Sequence, residues 1–308
     1  MKNFKWIVSL TLTSVILAAC TGKETQNTKT FEEVKDVKIE HTHGLGYAEN
    51  KNELYFATHD GLVRYSDNKW YEITRNKHDY MGFQAVDTGF YSSGHPEPGS
   101  DLKNPLGLIK STDEGKSFKK LTFYGETDFH YLAAGFNSHM IYAINETPNS
   151  KLDTGLYNSE DGGKTWEQSK MQGFSAESIG NIATHPTKKN MIGISTDKGL
   201  YFSDNNGDQF KIVSKAAPIT TLEFEEDSML YFTTDGDNPS LYKQDLTTQN
   251  ATKLSIPDEI NSKNPIMFIA SNPKNRDEIT VITYKKDIYQ TKDKGGSWKE
   301  LIKNGKIQ

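Results

Sequence analysis

The sequence predicts an all-β protein, a single β-propeller of six four-stranded blades, with seven as the alternative count. Three observations carry that expectation. One turn motif recurs four times, at Ser111 to Phe118, Ser159 to Trp166, Ser203 to Phe210 and Thr291 to Trp298, each with Asp or Asn third, Gly fifth and an aromatic last. Its third position falls at 113, 161, 205 and 293, giving steps of 48, 44 and 88, the last being twice 44. A period in the forties built from short β-segments is one propeller blade per repeat. Second, a strand pattern rhymes along the chain as Leu62-Val63-Arg64-Tyr65, Leu156-Tyr157-Asn158-Ser159, Leu200-Tyr201-Phe202-Ser203, Leu241-Tyr242-Lys243-Gln244 and Ile288-Tyr289-Gln290-Thr291. Third, no segment after the first 20 residues sustains a 3.6-residue period over three turns.

The chain opens with two lysines before a short apolar stretch, Trp6 to Ala19, and then Leu17-Ala18-Ala19-Cys20. An apolar run this brief is a cleaved signal, and the four residues that end it form a lipobox. Residues 1–19 are therefore expected to be removed as a signal peptide. Cys20 is the only cysteine among 308 residues, so no intramolecular disulfide forms and its thiol is left for a diacylglyceryl thioether, with palmitate among the acyl chains. The expected protein sits on the extracytoplasmic face of a bacterial cell membrane, held by its lipid anchor. Loss of Lys2 and Lys5 moves the formal charge from −5 to −7, which argues against nucleic acid as a partner. Residues 20–38 are polar and read as a flexible tether.

The propeller is expected over 39–308, about 270 residues, or six repeats of roughly 45. Blade one runs from His41 to about Thr74, blade two from Tyr80 to Leu121, and blade three from Phe129 to Gln168. Blades four, five and six cover about Ile179 to Val213, Ile219 to Leu254 and Ile266 to Ile302. In the recurring turn the carboxylate or amide accepts backbone N–H groups of its own hairpin, Gly supplies positive φ, and the aromatic packs beneath. Gly163-Lys164-Thr165 is no phosphate loop, because the Gly that such a loop needs five residues before the Gly-Lys pair is Asn158.

These turns resemble the Asp-box, or BNR repeat, of sialidases, sortilin-type receptors, xyloglucan hydrolases and photosystem-assembly propellers. The resemblance implies that Asp113, Asp161, Asn205 and Asp293 staple the third and fourth strands and lie on the face opposite an active site. More widely, the stretches His41-Thr42-His43-Gly44-Leu45-Gly46, His59-Asp60-Gly61-Leu62, Ser93-Gly94-His95-Pro96 and Asp128-Phe129-His130 resemble Asp-box lipoproteins of low-GC Gram-positive bacteria labelled glycosyl-hydrolase-like. Sialidase chemistry is not expected. It needs three arginines on the substrate carboxylate, and the three here, Arg64, Arg75 and Arg276, fall away from the rim.

Propeller topology brings the starts of first strands and the ends of second strands to one rim. That rim receives His41, His43, His59, His78, His95 and His130 from three consecutive blades, beside Asp60, Asp79, Glu97, Asp128 and Glu146. His139 and His185 fall in loops on the opposite face. Clustered imidazoles with carboxylates suit a transition metal, although only His41-x-His43 is a local pair. Three functions follow as alternatives: a propeller that binds a glycan, peptide or metal at the channel mouth, a glycosyl hydrolase using the rim carboxylates, and a metal-dependent or metal-handling protein using the histidines.

Overall fold

The computed structural model describes residues 29–307, apart from 50, 216, 217 and 237. Cys20, the signal peptide and most of the expected tether lie outside the described residues. Twenty-five strands and no helix occur among those described, arranged as six sheets. Each sheet is a contiguous piece of chain whose four blade strands lie side by side in chain order, short apolar segments separated by connections of two to twelve residues.

Blade one comprises Thr42–Tyr47, Leu54–Thr58, Gly61–Ser66 and Lys69–Ile73, and blade two Asp79–Val86, Gly89–His95, Leu108–Ser111 and Lys119–Thr122. Blade three comprises Leu132–Ala134, Ile141–Asn145, Gly155–Ser159 and Glu167–Gln168, and blade four Ile179–Thr184, Ile192–Thr196, Gly199–Ser203 and Lys211–Ser214. Blade five is Ile219–Phe224, Ser228–Thr233, Ser240–Asp245 and Ala251–Leu254, and blade six Ile266–Asn272, Asn275–Thr283, Ile288–Thr291 and Lys299–Ile302. Six blades are observed, and the seven-blade alternative falls away.

The first strands line the channel and touch in ring order, with that of blade six against that of blade one. Close approach there is a glycine matter. A Cβ on Gly44 would lie 2.7 Å from Phe83 Cβ, and one on Gly46 would lie 2.6 Å from Ala85 Cβ, so the glycines of blade one let blade two press against its inner strand. Apolar clusters fill the joints between blades, for example Phe56, Trp70, Ile282 and Ile302 between blades one and six. The ring closes without strand exchange. Instead, Tyr47 Oη donates to Glu278 Oε1 at 3.0 Å, and Ile39 N donates to Gly305 O at 2.8 Å.

One expectation is corrected at the N-terminus. Phe31–Val34 is a strand, paired antiparallel with Lys69–Ile73 as a fifth strand of blade one, so the expected tether to residue 38 ends before Phe31. Four residues with two glutamates carry too little periodicity to announce themselves, and the order comes from tertiary packing. Phe31 is buried against Tyr55 with centroids 5.9 Å apart, and the Arg64 guanidinium lies 4.6 Å over its ring.

The Asp-box chemistry is as expected from the sequence. Asp161 Oδ1 accepts the amides of Lys164 and Thr165, each at 2.9 Å, and Oδ2 accepts Thr165 Oγ1 at 2.7 Å. Ser117 N and Ser297 N bond Asp113 and Asp293 in the same way at 2.9 and 2.8 Å. Asn205 keeps the backbone part, accepting Gln209 N at 3.0 Å. These turns join third to fourth strands, which places them on the face opposite the starts of the first strands.

Candidate functional site at the channel mouth

The channel has a volume of about 390 Å³ and is lined by first-strand residues of all six blades, with His43 and His130 at one end. At this mouth the histidines gather on blades one to three. His43 lies two residues into the first strand of blade one, His59 just past the end of its second strand, and Asp79 at the start of blade two's first strand. His43 Nε2 is 3.3 Å from His59 Nε2 and 3.4 Å from Asp79 Oδ1. His59 Nδ1 is 2.7 Å from Asp79 Oδ2. The three residues offer ligand atoms all within 4.8 Å of one another. His41 completes the layer, its ring edge-on to His59 at 4.9 Å between centroids.

Burial holds the His43 imidazole down at about 4, overriding the opposing pull of the Asp79 carboxylate, while His59, His41 and His130 push it the same way as burial. His43 is therefore neutral near pH 7, the form that binds a metal.

A second group adjoins the first. Asp128 Oδ2 lies 3.2 Å from His95 Nε2 and 3.5 Å from His130 Nε2, and Glu146 Oε2 lies 3.3 Å from His130 Nδ1. Burial raises the Asp128 carboxyl against the lowering effect of His130 and His95. His95 Nδ1 is further held by Asn104 Oδ1 at 2.7 Å.

Three of the residues expected at the mouth take other roles. His78 is buried and accepts Glu97 N on Nδ1 at 3.0 Å, with its ring against Tyr80 and Phe118. Its side chain turns into the blade instead of toward the channel, because an apolar pocket between two aromatics is available one residue before the strand begins. Glu97 accepts Lys77 N at 2.7 Å and so closes the same loop. Asp60 is exposed in a turn where its amide donates to Thr58 Oγ1. Glu223, Thr221 and Ser271 lie inside the channel and were not expected there. Their only signal is alternation along inner strands, which reads equally well as a solvated face.

Comparison with known proteins agrees with this architecture. The sequence model of the Sortilin-Vps10 family, described as sortilin, neurotensin receptor 3, matches residues 107–257. A curated xyloglucanase from a Paenibacillus species is 30% identical over 124 residues, which is 38% of this chain and 12% of that protein. Among solved structures, an enzyme of the GH74 type from Niastella koreensis superposes with a TM-score of 0.59 at 17% identity, over 89% of this chain and 47% of its own. The GH74 xyloglucanase of Xanthomonas campestris gives 0.57 at 15%, over 88% and 46%. YCF48 from Cyanidioschyzon merolae gives 0.50 at 10%, over 91% and 90%. The chain thus spans about half the length of these two solved GH74 proteins and about an eighth of the curated xyloglucanase. At these identities the structural likeness is one of fold, an Asp-box β-propeller.

Proposed function

We propose that this Asp-box propeller is a lipid-anchored extracytoplasmic protein that binds a divalent transition-metal ion at its channel mouth through His43, His59 and Asp79. One observation carries the reading. Two ligands each about 2.0–2.1 Å from a tetrahedral zinc ion are about 3.3–3.4 Å apart, and the separations from His43 Nε2 to His59 Nε2 and to Asp79 Oδ1 are 3.3 and 3.4 Å. These separations match two edges of a tetrahedron; His59 Nδ1 lies at hydrogen-bond distance, 2.7 Å, from Asp79 Oδ2, so the His59 ring would turn to complete the third. The fourth corner would face the channel, leaving a position for an anionic or carbonyl group of a ligand. The adjoining carboxylates Asp128 and Glu146 with His95 and His130 would orient whatever occupies it.

The test is metal titration of the full chain, purified without a polyhistidine tag and stripped with chelator, using zinc and copper(II) in separate calorimetric runs. One tight equivalent is expected, lost in the His43→Ala/His59→Ala variant. Equal uptake by the variant would end the proposal.

A second reading draws on the xyloglucanase relatives: glycan binding or hydrolysis at the same mouth. Hydrolysis asks for one protonated carboxylic acid and one free carboxylate across a cleft. Here Asp79, Asp128 and Glu146 are each paired with imidazole, which favours metal binding over this chemistry. Release of reducing ends from xyloglucan by the chelated protein, lost on Asp128→Asn, would reverse that preference.

A further inference from the structure

Side chains bridge neighbouring inner strands around the channel wall. Gln84 Oε1 accepts Ala134 N of blade three at 3.4 Å. Asn181 grips Leu222 of blade five on both backbone groups, Oδ1 accepting the amide and Nδ2 donating to the carbonyl, each at 2.9 Å. Both bridges are neutral amides. Between blades five and six the same task falls to an acid, since Glu223 Oε1 accepts Ser271 N at 3.1 Å.

That joint is electrostatically incomplete. Thr221 Oγ1, Glu223 Oε2, Glu225 Oε1 and Ser271 Oγ are buried and have no hydrogen-bond partner among the described residues. All four residues line the channel, Thr221 only 1% and Glu225 only 5% exposed. Glu223 is intermediate in exposure and lines the channel. Glu225 has a counter-charge in Lys243 Nζ at 2.5 Å, whereas no cationic side chain pairs with Glu223 among the described residues. Burial pushes the Glu223 carboxyl well up, the Ser271 amide opposes it, and the Glu225 charge adds to it. An uncompensated carboxylate in such a place is costly. Amides at the other two bridges show that the staple itself does not need an acid.

We infer that the blade five–six joint is a cation site in which Glu223 supplies the charge and Thr221 and Ser271 supply further oxygen ligands. Oxygen-only ligation selects a hard metal ion such as calcium, or a primary ammonium group, over the imidazole-seeking metals of the mouth. The two sites are thereby separable.

The experiment measures thermal unfolding of the full chain, freed of metal by chelator, against calcium chloride and, separately, methylammonium chloride, with potassium chloride holding ionic strength constant. One of the two cations is expected to raise Tm with the logarithm of its concentration, equally in wild type and in His43→Ala/His59→Ala. The responding cation identifies the source. Glu223→Gln should abolish the response, and Glu223→Asp, which keeps the charge, should retain part of it. Should neither cation move the wild-type Tm while Glu223→Gln melts at or above wild type, Glu223 is a protonated stand-in for the amide of the other joints and the inference is wrong. If a variant fails to fold, calorimetric titration of wild type with the same salts decides: saturable heat from one cation supports the site, and heat from neither overturns it.

Discussion

Gly163 in the Asp-box of blade three packs directly against Leu108 in the third strand of blade two: a Cβ placed on Gly163 would lie 2.6 Å from Leu108 Cδ2. The relationship repeats. Gly115 meets Leu62 at 3.1 Å, Gly207 meets Leu156 at 2.8 Å, and Gly295 meets Leu254 at 3.4 Å. Each box therefore does more than staple its own hairpin. It presses a bare Cα onto the blade before it, and in three of the four joints the partner is a leucine of that blade's third strand.

Gly163→Ala is accordingly expected to destabilise the fold from two causes. The residue has φ of +87°, a conformation that costs a non-glycine residue about 1 kcal/mol or more, and the added methyl must displace Leu108. A fall in Tm of several degrees is expected, as about 1 kcal/mol corresponds to roughly 2–4 °C in a protein of this size. An unchanged Tm in differential scanning calorimetry would show that the joint is looser than its geometry.

The box carboxylates predict a specific acid limb. Hydrogen bonds from Thr165, with smaller contributions from Ser159 and Lys164, hold the Asp161 carboxyl down at about 2, and Thr291 and Ser297 do the same for Asp293. A carboxyl depressed in the folded state stabilises the fold above its unfolded value near 3.9, and that contribution fades as pH falls toward 2. Asp161→Asn keeps an acceptor, as Asn205 does naturally, but cannot titrate. The Tm difference between wild type and Asp161→Asn should therefore be largest above pH 4 and shrink between pH 4 and 2. A constant difference across that window would mean that the charge plays no part.

The repeat was legible because its chemistry is local. A glycine at positive φ, an acceptor two residues before it and an aromatic after it are specified within eight residues, and the period then counts blades. The rim was legible through strand phase alone, which brought His41, His43, His59, His95 and His130 to one face. Phase does not say which way a side chain turns, and His78 and Glu97 turned toward the blade. Nor does it distinguish a strand face toward solvent from one toward a channel, so Thr221, Glu223 and Ser271 gave no signal. The strand at Phe31 was hidden for a third reason: its order comes from Tyr55, Arg64 and the edge it covers, all distant in sequence.

Cys20→Ser is expected to release the protein from the membrane fraction while leaving the propeller folded. On the proposed lipid anchoring, the Cys20 sulfur is the atom that takes the lipid. Fractionation after a high-salt wash, read together with the Tm of the soluble product, tests both halves. Retention of the variant in the washed membranes would point to an anchor other than Cys20.

His59 and His78 lie on either side of Asp79, and they separate site from scaffold. His59 is half exposed, and its polar and ring contacts among the described residues are with His41, His43 and Asp79. Its replacement by alanine should leave Tm within about a degree or two, as expected for a surface change outside the core, and should weaken zinc binding at least about tenfold through loss of one of three ligands. His78 is 1% exposed, lowered in pKa by burial, and accepts the Glu97 amide while packing between Tyr80 and Phe118. His78→Ala should leave that amide unpaired and open a cavity, costing about 2–4 kcal/mol, yet the folded fraction should still take up zinc. The discriminating measurement is zinc affinity well below each variant's Tm. If His78→Ala loses the metal and His59→Ala keeps it, the ligands have been assigned to the wrong side of Asp79.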